Sequence, residues 1–242
     1  MTKTNSLASS EVIAMRLPAM LYDRRHDLKY ILWLPVYLVS FVVLEHLIDG
    51  SGRYWATQIS LDRFIPFCEF FVIPYCLWYP LLVAVGLYLL FRDSAAFRRY
   101  MRFLAVTFFL SELIWFLIPN GQDLRPAVMP RDNFFSRWVA ALYSIDTSTN
   151  VFPSVHVAGS VGAAGAVWNC YSLREHRRLR YGTVILSVLI CLSTLFIKQH
   201  TLLDVVGGAV LSLAVGVVIY GYTPTVVTQR LCRHRRSLNR LE

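Results

Sequence analysis

The sequence predicts an all-α polytopic membrane protein, a bundle of six transmembrane helices, and three observations carry that prediction. Apolar residues make up 56% of the 242-residue chain, charged residues only 16%, and the mean hydropathy is +0.48. A chain of this composition has too little polar surface for a water-soluble globule. Its apolar residues gather in six runs, each of a length that suits a bilayer. Its basic residues, finally, sort by loop.

The first run, Tyr30 to Asp49, follows a mostly polar segment and shows no small-residue cleavage site, so it reads as a retained helix rather than a removed signal peptide. The second is Phe70 to Phe91 and the third Phe103 to Pro119. A proline-bearing polar stretch, Asn120 to Pro153, follows as the longest loop, and long loops in compact proteins often carry the site. The fourth run, Ser154 to Tyr171, opens with a serine suited to cap a helix. The fifth is Tyr181 to Lys198, and the sixth, Leu202 to Tyr222, begins almost at once. The expected organisation is a cytoplasmic N-terminal segment (1–29), a six-helix membrane domain (30–222) and a basic cytoplasmic tail (223–242).

The formal charge of +9 raises the possibility of a nucleic-acid partner, and the placement of the 24 Lys and Arg residues argues against it. The N-terminal segment, the link Arg92 to Arg102, the link Ser172 to Arg180 and the tail hold 18 of them. The other loops hold only Arg53, Arg63, Arg125, Arg131, Arg137 and Lys198. Under the positive-inside rule both termini are cytoplasmic and the remaining loops external, as expected of a multi-pass protein of the cell membrane. The basic tail suits anionic headgroups. Cys68, Cys76, Cys170, Cys191 and Cys232 show neither paired nor metal-ligand spacing, so no disulfide framework is expected.

This topology brings polar residues to one depth. Ser154 and His156 fall at the external end of the fourth helix, His200 and Asp204 in the first external turns of the sixth, and Arg125 in the external loop. His200 and Asp204 are four residues apart, on one helix face, where the carboxylate can fix the imidazole tautomer. The other ring nitrogen is then left as a nucleophile or base. His156, on another helix, is a second proton-handling group. Helix N-termini beside Ser154 and His200 offer free amides to an oxyanion, and Arg125 and Lys198 a cationic clamp for phosphate. Small residues in "AGSVGAAGA" and at Gly208, Ser212 and Gly216 let the fourth and sixth helices approach closely.

These residues resemble the type 2 phosphatidic acid phosphatase superfamily of membrane lipid phosphatases and phosphotransferases. The family pattern is Lys-x6-Arg-Pro, then Pro-Ser-x-His, then Ser-Arg-x5-His-x3-Asp. Here Arg125-Pro126 stands for the first part, Pro153-Ser154-Val155-His156 completes the second, and Ser193, His200 and Asp204 carry the third. The resemblance implies His200 as the nucleophile on phosphorus, Asp204 as its orienting partner and His156 as the acid that protonates the leaving oxygen. It also implies Arg125 and Ser154 as phosphate-holding residues, with Lys198 as a further candidate. The expected activity is a lipid phosphatase working at the external face through a phosphohistidine.

Ile118 stands where the family has lysine and Thr194 where it has arginine. Loss of those cations is similar to the lipid phosphotransferase branches, so transfer to an alcohol is the alternative reading. A non-catalytic phospholipid-binding or transport protein is a third. A zinc site of His156, His200 and Asp204 has suitable ligand types, but no fourth ligand is evident and the nearby cations oppose it. No metal or other cofactor is expected, and the expected partners are a lipid phosphate and the bilayer, not nucleic acid. Glu45, His46 and Glu112 are ionisable residues at membrane depth with no catalytic assignment. The stretch "IDTSTN", Ile145 to Asn150, either orders its own loop or touches substrate.

Overall fold

A computed structural model describes residues 24–47 and 54–221. The N-terminal segment before Arg24, the basic tail 223–242 and Cys232 lie outside the described residues, so the expectations for them are not addressed.

The described residues form nine α-helices, and the apolar runs account for six of the segments. Helix α1 (Arg25–Leu28) leads through a 3-10 turn into α2 (Trp33–Leu47). The second run becomes α3 (Val72–Cys76) and α4 (Trp78–Arg92), the third α5 (Ser94–Leu117). An unanticipated amphipathic helix, α6 (Phe134–Ile145), occupies the long loop. The fourth, fifth and sixth runs become α7 (Val155–Asn169), α8 (Arg177–Phe196) and α9 (Leu202–Gly216), the last continued by a π-helical turn, Val217–Gly221.

Five segments are long and apolar enough to cross a membrane: Arg25–Leu47, Glu69–Arg92, Ser94–Leu117, Arg177–Phe196 and Leu202–Gly221. The expected sixth, α7, has only 15 residues. It is also the most enclosed, with Val155 through Ser160 all buried and α4, α5, α8 and α9 packed around it. The all-α membrane fold is therefore present, with a short central helix in place of a sixth full-length span.

The third helix begins nine residues earlier than hydropathy suggests, inside the basic link. Asp93 is the cause: its side chain accepts from the backbone N–H of Ala96 at 3.0 Å and caps the helix. Arg98, Arg99 and Arg102 thus sit on α5, and Arg98 pairs with Asp27 at 2.9 Å. Similarly, Asn133 caps α6 through Ser136 N–H at 2.9 Å.

Because consecutive spans alternate in direction, Arg25, Arg92, Asn169 and Arg177 lie at one end of the bundle. Leu47, Glu69, Leu117, Val155, Phe196 and Leu202 lie at the other. Contacts across the chain agree. Arg24 donates to Ser94 at the basic end, and Cys68 N–H donates to the Phe196 carbonyl at the opposite end.

At this second end the connections form a cap. A two-residue strand β1 (Trp55–Ala56) pairs in parallel with β2 (Asn120–Gly121), and Gly121 also bridges to Thr149. Asn120 is the hub. Its amide donates to the carbonyls of Ile118 and Phe152 at 2.8 and 3.1 Å. Its carbonyl accepts from the N–H groups of Val151 and Phe152 at 2.9 and 2.7 Å. One fully buried side chain therefore fixes the backbone that leads into Ser154 and α7. Arg131 fastens the same cap from outside, gripping Glu69 with two nitrogens at 2.8 and 2.5 Å.

Candidate active site

The structure brings His156, His200 and Asp204 into one buried chain at the capped end of the bundle. His156 occupies the first turn of α7, His200 the turn just before α9, and Asp204 the first turn of α9. Their meeting depends on close helix approach. A Cβ on Gly208 would lie 2.6 Å from the carbonyl oxygen of Ser154, a contact no other residue type could make without displacement. The backbone N–H of Ser154 in turn donates to the carbonyl of Asp204 at 3.1 Å.

His200 Nε2 lies 3.4 Å from His156 Nδ1, and His200 Nδ1 lies 3.5 Å from Asp204 Oδ2. The second is an ion-pair approach and not a hydrogen bond: His200 Nδ1 and Asp204 Oδ1 have no hydrogen-bond partner among the described residues. Asp204 Oδ2 is held more firmly elsewhere, accepting from the N–H of Thr201 at 2.7 Å in a reciprocal cap. The carboxylate is thus a positioned charge behind His200. His156 is clamped between aromatic rings, with Tyr75 stacked at 4.5 Å and Trp78 at 4.4 Å between centroids. Gly159 leaves room for that Trp78, whose indole nitrogen would be 2.7 Å from an added Cβ. His156 Nε2 has no hydrogen-bond partner among the described residues.

The expected phosphate-holding residues are placed differently. Ser154 is buried and caps α7 by accepting from Val157 N–H at 3.4 Å. Lys198 adopts a left-handed backbone, φ 55°. It donates to the carbonyls of Asp62 and Ile65 at 3.1 and 2.6 Å, and burial pushes its pKa down. Arg125 is also engaged. It donates to the carbonyls of Tyr143, Asp146 and Thr147 at 3.3, 2.8 and 2.6 Å, donates to the side-chain oxygen of Gln199, and lies over the ring of Tyr143. Burial lowers its pKa too, with Asp146 opposing that shift. Both cations hold protein carbonyls, and Arg125 Nε is buried without a hydrogen-bond partner among the described residues.

The amides at the start of α9 are occupied as well. Asp62, buried in a 3-10 turn (Ser60–Phe64), accepts from Leu202 N–H at 2.7 Å. Nothing near "SLDRF" signals this role in the sequence. Gln199 was missed for a different reason: it lies between two residues that drew attention, Lys198 and His200. Its amide donates to Asp146 Oδ2 at 2.9 Å, where Tyr75 also donates at 2.7 Å. The network therefore ties α3, α6 and the His200 turn together.

A cavity of about 650 Å³ reaches this site. Its walls are α2 and α4 and its floor is α5, and it runs from Ile31 and Leu90 near the basic end to Glu45, His156 and His200 at the other. From Trp33 to Glu45 the wall rises through twelve residue steps of helix, about 18 Å. Leu38, Val83 and Leu87 on its rims are half exposed on the apolar outer surface, so the groove opens sideways. Thr147, Thr149 and Asn150 line its polar end, which answers the question left by "IDTSTN": they face the cavity and also order the loop. Thr147 Oγ1 donates to Glu45 Oε2 at 2.6 Å and Asn150 to Glu45 Oε1 at 3.1 Å. Glu112, deeper in the bundle, accepts from Ser40 at 2.8 Å and is a helix-packing residue. Among the described residues no group of three or more His, Cys, Asp or Glu is gathered to hold a metal ion.

Helices long and apolar enough to cross a membrane, gathered around a buried histidine pair beside an apolar groove, define a polytopic membrane protein. Residues 103–227, just over half of the chain, match the family model of the PAP2 superfamily, and the chain belongs to that superfamily. No curated protein and no solved structure matches it. Membership supports phosphatase or phosphotransferase activity on lipid-like phosphates.

Proposed function

We propose that the protein is a lipid phosphatase or phosphotransferase of the cell membrane that works through a phosphohistidine on His200. The observation that carries this reading is the chain Asp204, His200, His156 at the polar end of a laterally open apolar groove. An acyl chain fits the groove, and the phosphate then reaches the histidines.

The Asp204 charge, 3.5 Å from Nδ1 of His200, favours the proton on that nitrogen, which leaves the Nε2 lone pair free to attack phosphorus. His156 protonates the oxygen that leaves, and afterwards takes a proton from the acceptor that breaks the phosphohistidine. In-line attack needs roughly 3 Å between nitrogen and phosphorus. The 3.4 Å gap between the rings cannot hold a phosphorus, so substrate binding parts them. His156 is clamped by Tyr75 and Trp78, so His200 is the ring that moves. Both rings and the Asp204 carboxylate work without a metal in this scheme.

A second reading, transfer to an alcohol, is favoured by one observation. Arg125 and Lys198 hold carbonyls, and of the Arg125 guanidinium only the buried Nε has no partner, so few cationic donors are left to grip a dianionic phosphate monoester. The basic end of the bundle lies opposite the histidines, which supports an active site on the external face with both termini cytoplasmic. On this reading residues 30–222 are the catalytic domain.

The test is incubation of purified protein with lipid phosphates and candidate alcohols, scoring free phosphate against transferred headgroup, with His200→Ala as control. Turnover that persists in His200→Ala would remove the basis for the proposal.

A further inference from the structure

Among the described residues, those that line the groove include two carboxylates and no lysine or arginine. Glu45 and Asp146 both line the cavity beside His156 and His200. Among the described residues the ion pairs are Arg98–Asp27, Arg131–Glu69, Arg137–Asp132 and His200–Asp204, so neither Glu45 nor Asp146 is in one. Their hydrogen-bond partners are neutral: Thr147 and Asn150 for Glu45, Tyr75 and Gln199 for Asp146. Asn150 adds an acceptor. Its Oδ1 has no partner, although the residue is 6% exposed and lines the same cavity. It is held in the left-handed region, φ 57°, by the backbone that Asn120 fixes. Aromatic rings of Trp78 and Tyr79 complete this end.

Arg125, which does not line the cavity, interacts with both carboxylates and offsets one of the two charges, so the groove's end keeps a net negative charge that repels a dianion and attracts a cation. Aromatic faces add to the attraction for an ammonium group. We infer that the polar end is a headgroup subsite for an ammonium, and that the substrate is a zwitterionic phosphodiester lipid, not a phosphate monoester. This rests on the catalytic reading above and deepens it.

The chemistry balances. His200 Nε2 forms a bond to phosphorus, the bond from phosphorus to the diacylglycerol oxygen breaks, and that oxygen leaves with the electron pair and takes a proton from His156. The aminoalcohol phosphate stays on His200. Water or an alcohol then gives its proton to His156 and its oxygen to phosphorus, and the nitrogen–phosphorus bond breaks.

The test uses the full-length protein in mixed micelles with phosphatidylethanolamine, phosphatidylcholine, phosphatidylglycerol and phosphatidate of identical acyl chains. Expected is a kcat/KM for the two ammonium lipids about tenfold above that for the two anionic lipids. Glu45→Gln and Asp146→Asn should each erase most of that preference, with folding checked by thermal melting. Preference for phosphatidate or phosphatidylglycerol in the unaltered protein overturns the inference and leaves the histidine chemistry standing. So does an ammonium preference that both variants retain while folded. Absence of His200-dependent turnover on all four lipids, phosphatidate included, sinks the catalytic reading and the inference with it.

Discussion

His156 and His200 face each other across 3.4 Å through Nδ1 and Nε2, and only His200 has a carboxylate behind it, Asp204 at 3.5 Å. The two rings are therefore unequal, and their substitutions should differ in kind.

His200→Ala should abolish phosphoenzyme formation with every substrate. His156→Ala should still allow attack when the leaving group needs no proton, as with an activated aryl phosphate. Breakdown is then slow for want of a base, and acid-labile phosphohistidine accumulates. Phosphate found on His156, or equal loss of phosphoenzyme in both variants with binding intact, contradicts this assignment.

Gly208→Ala should separate α7 from α9, because its new methyl meets the Ser154 carbonyl. Overpacking of this kind costs roughly 1–3 kcal/mol. Both the thermal midpoint and kcat should fall. A control at Gly182, whose added Cβ would meet nothing within 4 Å, should leave both unchanged. Equal behaviour of the two variants would show that close approach at Gly208 has no bearing on the site.

Asn120→Ala should be more damaging than most surface changes, since four hydrogen bonds of a buried side chain are lost. Orphaned backbone groups cost about 1–3 kcal/mol each before relaxation. The expected result is a large fall in thermal midpoint, with activity lost before the helices melt by circular dichroism. A midpoint unchanged from the unaltered protein would show that the hub is dispensable.

Orientation can be read with single cysteines in a cysteine-free background. Val128→Cys lies on the exposed loop near the site and Glu175→Cys on the exposed link at the basic end. An impermeant thiol reagent applied to intact cells should label the first and not the second. The reverse pattern inverts the topology.

Exhaustive chelation should leave turnover intact, because Asp204 and the two imidazoles supply the charge and protons the scheme requires. Activity that vanishes on chelation and returns with zinc alone reassigns both histidines as ligands.

Much of this fold was legible because hydropathy and loop charge are long-range, redundant signals. A run of twenty apolar residues tolerates errors at its ends, which is why the helices were found while the start of α5 was missed: one cap, Asp93, moved it. Helix α6 escaped for a similar reason, since Asn133 caps it but its apolar face is short. The meeting of His156 with His200 and Asp204 followed from alternation plus a four-residue spacing. Side-chain direction did not follow. Spacing places Lys198 two residues before His200 but does not disclose its partners, the carbonyls of Asp62 and Ile65, which are distant in sequence. Nor does spacing disclose that Arg125 holds the carbonyls of Tyr143, Asp146 and Thr147.

The sideways mouth of the groove between α2 and α4 has a kinetic consequence. A substrate that enters from the leaflet never dissolves in water, so the quantity that sets the rate is its mole fraction in the surface. Diluting the lipid with inert detergent at fixed bulk amount should slow turnover as lowering substrate does for a soluble enzyme. Diluting the whole suspension with buffer should not.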